Sequence, residues 1–377
     1  MSIIIGADFV PSKKNEKMFI NGDIRELFGD NLINVIYNST YRIFNLEMPL
    51  TNNSDPIHKC GTNLVGNPLT INAYRKLGVD ILTLANNHIL DQNVNGLKDT
   101  EKLLDENNIK HIGAGSNLDE ASKPIIFENS NKKVGLYTCC EHEFSIATKN
   151  SAGANPYDPL LSFDHIKSLK EKCDYVIVLF HGGKEHYQYP SPNLQKIFRK
   201  FADCGANVVI AQHTHCIGCM EKYNDSTLIY GQGNFLFADC KTISDDSLLV
   251  KINDDFSIEY IPITKLNNVI RLGNKETVMS FMKRSEDITK NGFIDRKFHE
   301  YANFMIDRYL LYMSSLPTNR FIFKCINKIT GYKFGAWLVK KRYNKNKRLA
   351  FQNYIECESH SELLIEGLKE NRDRPIQ

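Results

Sequence analysis

The sequence predicts an α/β fold, with strands and helices alternating over roughly the first 270 residues. Three observations carry that expectation. Short β-branched apolar runs recur between stretches of helical spacing. The runs are continuously apolar rather than alternating, as strands covered on both faces require. Polar side chains gather just after the runs, where α/β folds place ligand sites.

Ile3-Ile4-Ile5 is a β-branched strand ending at Gly6-Ala7-Asp8. A second strand covers 41–47 and is stopped by Pro49. Residues 72–77 read as a short helix before an apolar strand over 79–84. Helical spacing follows over 97–107, with Leu97, Leu103 and Leu104 apolar and charges between them. Next come a strand over 133–138, a helix over 163–172, and a strand over 175–180 that delivers His181. A helix over 194–204, closed by Gly205, precedes the strand 206–211, which delivers His213 and His215. Strands over 227–231, 248–252 and 258–263 complete the β content. From Glu276 onward the pattern is helical, which divides the chain into an α/β domain over 1–270 and a basic, aromatic-rich helical region over 271–377. Within the second part, 301–316 reads as a buried helix rather than a membrane span.

A chain of 377 residues, 42% hydrophobic and 24% charged, is an ordinary globular protein able to bury a large core. Its net charge of +3 is too small to imply a polyanion partner for the whole chain. Ten irregularly spaced cysteines in a chain this long predict reduced thiols and a cytosolic setting. The amino terminus shows no basic, apolar signal pattern, and no stretch reaches about 18 uncharged apolar residues. The expected location is therefore cytoplasmic, with a peripheral place at the inner face of the membrane as an option.

Asp8, Glu47, Asn87 and His181 follow four different strand ends or lie close beyond them, and His213 and His215 follow a fifth. Taken singly, each is compatible with a turn or a surface position. Together, imidazole, carboxylate and amide oxygen make a donor set that suits Zn, Mn or Fe better than Ca. The i, i+2 spacing of His213 and His215 lets the two rings face different cations, and a carboxylate can bridge a pair. Two cations about 3.5–4 Å apart activate a bridging hydroxide as nucleophile and stabilise an in-line displacement. His88 would then protonate the leaving oxygen, with Asp91 orienting its ring.

These residues lie in motifs that resemble the CapA (poly-γ-glutamate capsule biosynthesis) family, of the calcineurin-like metallophosphoesterase superfamily. The matching pieces run in order: Gly6-Ala7-Asp8, Asn45-Leu46-Glu47-Met48-Pro49, Asp80 through Asp91 with its Ala-Asn-Asn-His core, Gly113-Ala114-Gly115 and Glu120-Ala121. They continue with His181-Gly182-Gly183-Lys184-Glu185, the stretch Gly205 through His215, and Tyr230-Gly231-Gln232-Gly233-Asn234-Phe235. The resemblance covers roughly residues 3–265. It implies a four-layer αββα sandwich and two divalent metal ions (Mn, Fe or Zn). The implied ligands are Asp8, Glu47, Asn87, His181, His213 and His215. His88 is the implied catalytic acid, supported by Asp91. Asn45, Asn86, Glu185 and Asn234 are implied to lie near the site, against substrate or behind the ligands. Relatives in the superfamily often carry Asp-x-His where this chain has Asp8-Phe9-Val10, and many use Asp where it has Glu47. Gly182 and Thr214 stand where the capsule family often has Trp and Pro.

Three functions follow as expectations. The first is phosphoester hydrolysis in the synthesis of capsule, exopolysaccharide or poly-γ-glutamate, on a cell-surface polymer or its phosphorylated precursor. The second keeps the site but cleaves an amide or ester of a poly-γ-glutamate-like polymer. The third is a non-catalytic assembly factor that binds other capsule synthesis proteins. Segment 320–348, from Arg320 to Arg348, has no acidic residue and interleaves Lys and Arg with aromatics. It suits a solvated helix face, an anionic membrane surface or a polyanion, and no specific nucleic acid is expected. Cys216 and Cys219, and likewise Cys139 and Cys140, read as packing, and Gly113-Ala114-Gly115 as a turn.

Overall fold

The computed structural model of the chain describes residues 2–129, 131–237, 240, 243–313, 321–356 and 360–361. Two compact units are present, Met1–Arg296 and Lys297–Gln377. The expected boundary near 270 falls earlier because the helix Lys275–Asp287 belongs to the first unit. Its Phe281 is fully buried with Ile252, Val250 and Ile210.

The first unit is built on two large sheets. One has the strand order Val269–Leu272, Ile258–Leu266, Asp246–Ile252, Ile3–Val10, Tyr41–Asn45, Ile81–Thr83, Lys110–Ile112, with Leu236–Phe237 paired to the far end of Ile3–Val10. The other has the order Met220–Tyr223, Ser226–Ile229, Val208–Gln212, Tyr175–His181, Lys132–Cys140, Ile125–Asn129. Four of its strands are mutually parallel.

Side-chain alternation along each strand decides the layering. Ile3, Ile5, Ile43 and Ile81 of the first sheet meet Leu136, Ile177, Leu179 and Ile210 of the second in a common core. The opposite face of the first sheet, with Ile4, Phe44 and Leu82, is covered by Phe19, Leu27, Phe28 and Leu77 from three helices. The opposite face of the second, with Val176, Val178 and Val209, is covered by Ile166 and Leu169 of Ser162–Lys170 and by Phe198 and Phe201 of Pro192–Asp203. The result is the four-layer αββα sandwich. Both central sheets are buried on two faces, which explains the continuously apolar runs.

Several elements differ from the expectation. The first strand does not end at Gly6-Ala7-Asp8 but continues to Val10, with Asp8 paired to Asn45 of the neighbouring parallel strand. The helices Glu16–Asn21 and Ile24–Tyr37 and the strands Ile125–Asn129 and Met220–Tyr223 were not foreseen. Ala114–Gly115 is no turn but a two-residue strand paired with Gly153–Ala154. Gly113, at φ 93°, leaves the room this requires: a Cβ there would lie 2.1 Å from Thr138 Oγ1.

In the second unit the described part of the region 301–316, residues 301–313, is helical but largely exposed. Residues 314–316 lie outside the described residues. In the helix Phe293–Met313, Leu310 is buried but Phe304, Ile306, Tyr309 and Met313 are exposed. The helices Phe321–Ile329, Lys333–Arg342 and Lys345–Glu356 follow; Arg320 lies outside the described residues. No helix among the described residues is long and apolar enough to cross a membrane.

Candidate metal centre

Register brings the site together. Asp8 is opposite Asn45, and Asn45 opposite Thr83, so three strands of the first sheet end level with one another. In the second sheet Cys140, His181 and Gln212 are level in the same way. Asp8, Glu47 and Asn87 therefore arrive from one sheet and His181, His213 and His215 from the other.

His213 and His215 both have left-handed backbone, φ 81° and 52°. Non-glycine residues rarely occupy that region, and such strain persists only where the surroundings enforce it. Here it sends the two rings to different places. His213 Nδ1 lies 3.2 Å from His181 Nε2, whereas His215 Nδ1 lies 3.4 Å from Asp8 Oδ2 and 2.8 Å from Asn234 Oδ1.

His181 Nε2 is the hub of one donor group. It lies 3.0 Å from Asn87 Oδ1, 3.2 Å from Glu47 Oε1 and 3.2 Å from His213 Nδ1. Donors bound to one tetrahedral cation at about 2.0–2.1 Å stand about 3.3 Å apart, so these separations match a shared cation. A second group joins Asp8, Glu47 and His215. Glu47 belongs to both groups, as a bridging carboxylate must.

Burial tests the fit of metal further. Asp8 and Glu47 are fully buried, and Asp8 Oδ2 and both carboxylate oxygens of Glu47 accept no hydrogen bond. Buried acceptors without a donor are costly unless a cation compensates them. Burial alone would raise the Glu47 carboxyl, but the neighbouring His181, His213 and His215 imidazoles hold it well below the usual range. Burial opposes charging of His213 and His215, yet Glu47 raises the first and Asp8, Cys240 and Glu47 raise the second well above the ordinary imidazole value. The buried carboxylates thus favour positive charge beside them. The residues present fit a divalent metal pair.

A second corner surrounds His88. Its Nδ1 meets the Asp91 carboxylate, and its backbone N–H donates to Asn86 Oδ1 at 3.1 Å. Asn86 Nδ2 in turn donates to Asn45 Oδ1 and to the Leu46 carbonyl, tying this loop to the second strand. Asn45 Nδ2 donates to Asp8 Oδ1 at 2.7 Å, so Asn45 holds a candidate ligand. Glu185 stands at the rim, half-exposed, with Oε1 3.8 Å from His213 Nε2. Val10, where relatives often carry a histidine, is buried in the helix-side core.

Lys59, Glu143 and Ser145 are site residues that the sequence reading missed. Lys59 is ion-paired to Asp91, and both side chains are almost completely buried. Glu143 Oε2 accepts from Asn87 Nδ2 at 3.0 Å, and Ser145 Oγ donates to the Asn87 carbonyl at 2.8 Å. The rule that located the other residues also points to Glu143, which follows the end of Lys132–Cys140. Lys59 sits in an aperiodic loop and carries no such signal. Cys216 and Cys219 are buried free thiols, and burial pushes the Cys216 thiol up to about 11.

The family model described as "Bacterial capsule synthesis protein PGA_cap" matches residues 3–239. The chain is 31% identical over 193 residues to the PGA biosynthesis protein CapA of Bacillus subtilis, a match covering 50% of each chain. It is 29% identical over 259 residues to the capsule biosynthesis protein CapA of Bacillus anthracis, covering 66% of this chain and 62% of that one. The matched region thus spans about half to three-fifths of these relatives' length. Among solved structures it is similar to a novel phosphatase from Mycoplasma pneumoniae, at TM-score 0.43 and 15% identity over 70% of this chain and 93% of that one.

Proposed function

We propose, from the premise that the chain belongs to the bacterial capsule synthesis protein PGA_cap family, that it is a divalent-metal-dependent phosphoester hydrolase. Its substrate would be a capsule-type polymer such as poly-γ-glutamate, or a phosphorylated precursor of one. Its partners would be other capsule synthesis proteins. The observation that carries this reading is the pair of buried donor groups sharing Glu47.

Two divalent cations, when bound, would supply Lewis-acid polarisation and a water of lowered pKa. The chain's own residues do the rest. Glu47, His181, His213 and Asn87 would hold one cation, and Asp8, Glu47 and His215 the other. Asn45 fixes the Asp8 carboxylate, and Asn86 fixes the loop that carries Asn87 and His88. Asp91 takes His88 Nδ1, which leaves Nε2 as the ring nitrogen that holds a proton for a leaving oxygen. Lys59, ion-paired to Asp91 and with its Nζ 3.1 Å from His88 Nδ1, neutralises the carboxylate and keeps it buried and oriented.

The test is turnover by the manganese-loaded full chain on an aryl phosphodiester and on a γ-glutamyl anilide. Phosphodiester hydrolysis is expected, slower by about 100-fold or more in His88→Ala. Anilide cleavage alone would replace this reading with an amide hydrolase. Bound metal without turnover of either would replace it with an assembly factor.

A further inference from the structure

The helix Phe321–Ile329 is amphipathic but packed the unusual way round. Phe321, Ile322, Cys325, Ile326 and Ile329 stand at i, i+1, i+4, i+5 and i+8 and share one face. That face is turned to solvent, with Phe321 80%, Ile322 71% and Ile329 84% exposed. The side that packs on Lys333–Arg342 is a different one. Asn327 Oδ1 accepts from the Gly335 N–H at 2.9 Å, and the Phe323 ring sits 5.8 Å from that of Phe334. A helix that turns Phe323 and Asn327 to its neighbour and leaves its broader apolar face open has a partner elsewhere.

Charge identifies the partner. Residues 321–348 carry nine Lys and Arg and no Asp or Glu. Lys324 and Lys328 flank the apolar face, where long basic stems lie along an apolar surface and keep their ammonium groups at a polar boundary. Trp337, on the next helix, is half-exposed, with Lys341 5.3 Å from its ring centre. An open apolar stripe, a basic rim and an amphipathic aromatic are the features of a helix lying in a membrane interface. We propose that the second unit docks on an anionic lipid bilayer through the Phe321–Ile329 face. The apolar side chains enter the headgroup boundary and the lysines meet lipid phosphates.

Trp337 is the single tryptophan of the chain, so its emission reports on this unit alone. The full chain is mixed with phosphatidylcholine vesicles containing about a third phosphatidylglycerol. Flotation with the vesicles and a blue shift of the emission are expected, both lost in pure phosphatidylcholine and weakened in about 0.5 M salt. The double variant Ile322→Asp/Ile329→Asp should lower partitioning about tenfold or more. Lys324→Gln/Lys328→Gln should lower it by a smaller factor, with far-ultraviolet circular dichroism unchanged in both. His213→Ala should bind vesicles as the parent does, which separates this result from the metal reading. Absence of flotation, or flotation indifferent to the isoleucine pair, overturns the proposal. So does the same emission shift with soluble polyglutamate, which marks a polymer site, or self-association of the chain that needs the same isoleucines, which marks an interface between copies.

Discussion

The Glu47 cluster and the Phe321–Ile329 helix depart from ordinary burial in opposite senses. The first holds carboxylates inside, with acceptor oxygens that make no hydrogen bond among the described residues. The second holds phenylalanine and isoleucine outside, on a face that no helix among the described residues covers. Buried polar groups and exposed apolar patches are the informative exceptions in a folded chain. On our proposals each is completed by something outside the chain, a cation in one case and a lipid surface in the other.

Substitutions can break or sharpen that contrast. Phe44 is fully buried, with its ring 4.5 Å from that of Phe235. Phe44→Ala should cost about 3–5 kcal/mol in urea denaturation, because the core between sheet and helices cannot collapse around the void. Lys59→Met should cost about 3 kcal/mol by the same measurement. It strands the Asp91 carboxylate, which among the described residues keeps the His88 ring and the Leu64 N–H. Phe321→Ala and Ile322→Ala should each stay within about 0.5 kcal/mol. If either exposed change costs as much as Phe44→Ala, that face is covered in the folded chain and the contrast fails.

Much of the α/β architecture was legible in the sequence because its strands are covered on both faces and leave continuous apolar runs. Tyr175–His181 and Val208–Gln212 stand out for that reason. The helix Ile24–Tyr37 did not, because Gly29 at φ 70° kinks it and interrupts its period. The site residues were legible where they follow strand ends, as His181, His213 and Asn87 do. Lys59 was invisible, since only the fold of the 51–66 loop carries it to Asp91. The exposure of 304–313 was misread because composition records that a helix has apolar side chains and not whether anything covers them.

The measurement that bears most directly on the account is the metal content of the purified full chain by elemental analysis, beside His213→Ala and Glu47→Gln. The account predicts about two Mn, Fe or Zn per chain. It predicts a clear loss in His213→Ala, which removes one donor from one group, and a larger loss in Glu47→Gln, which removes the carboxylate both groups share. A chain that binds no divalent metal after reconstitution, or binds it equally in all three forms, would contradict it.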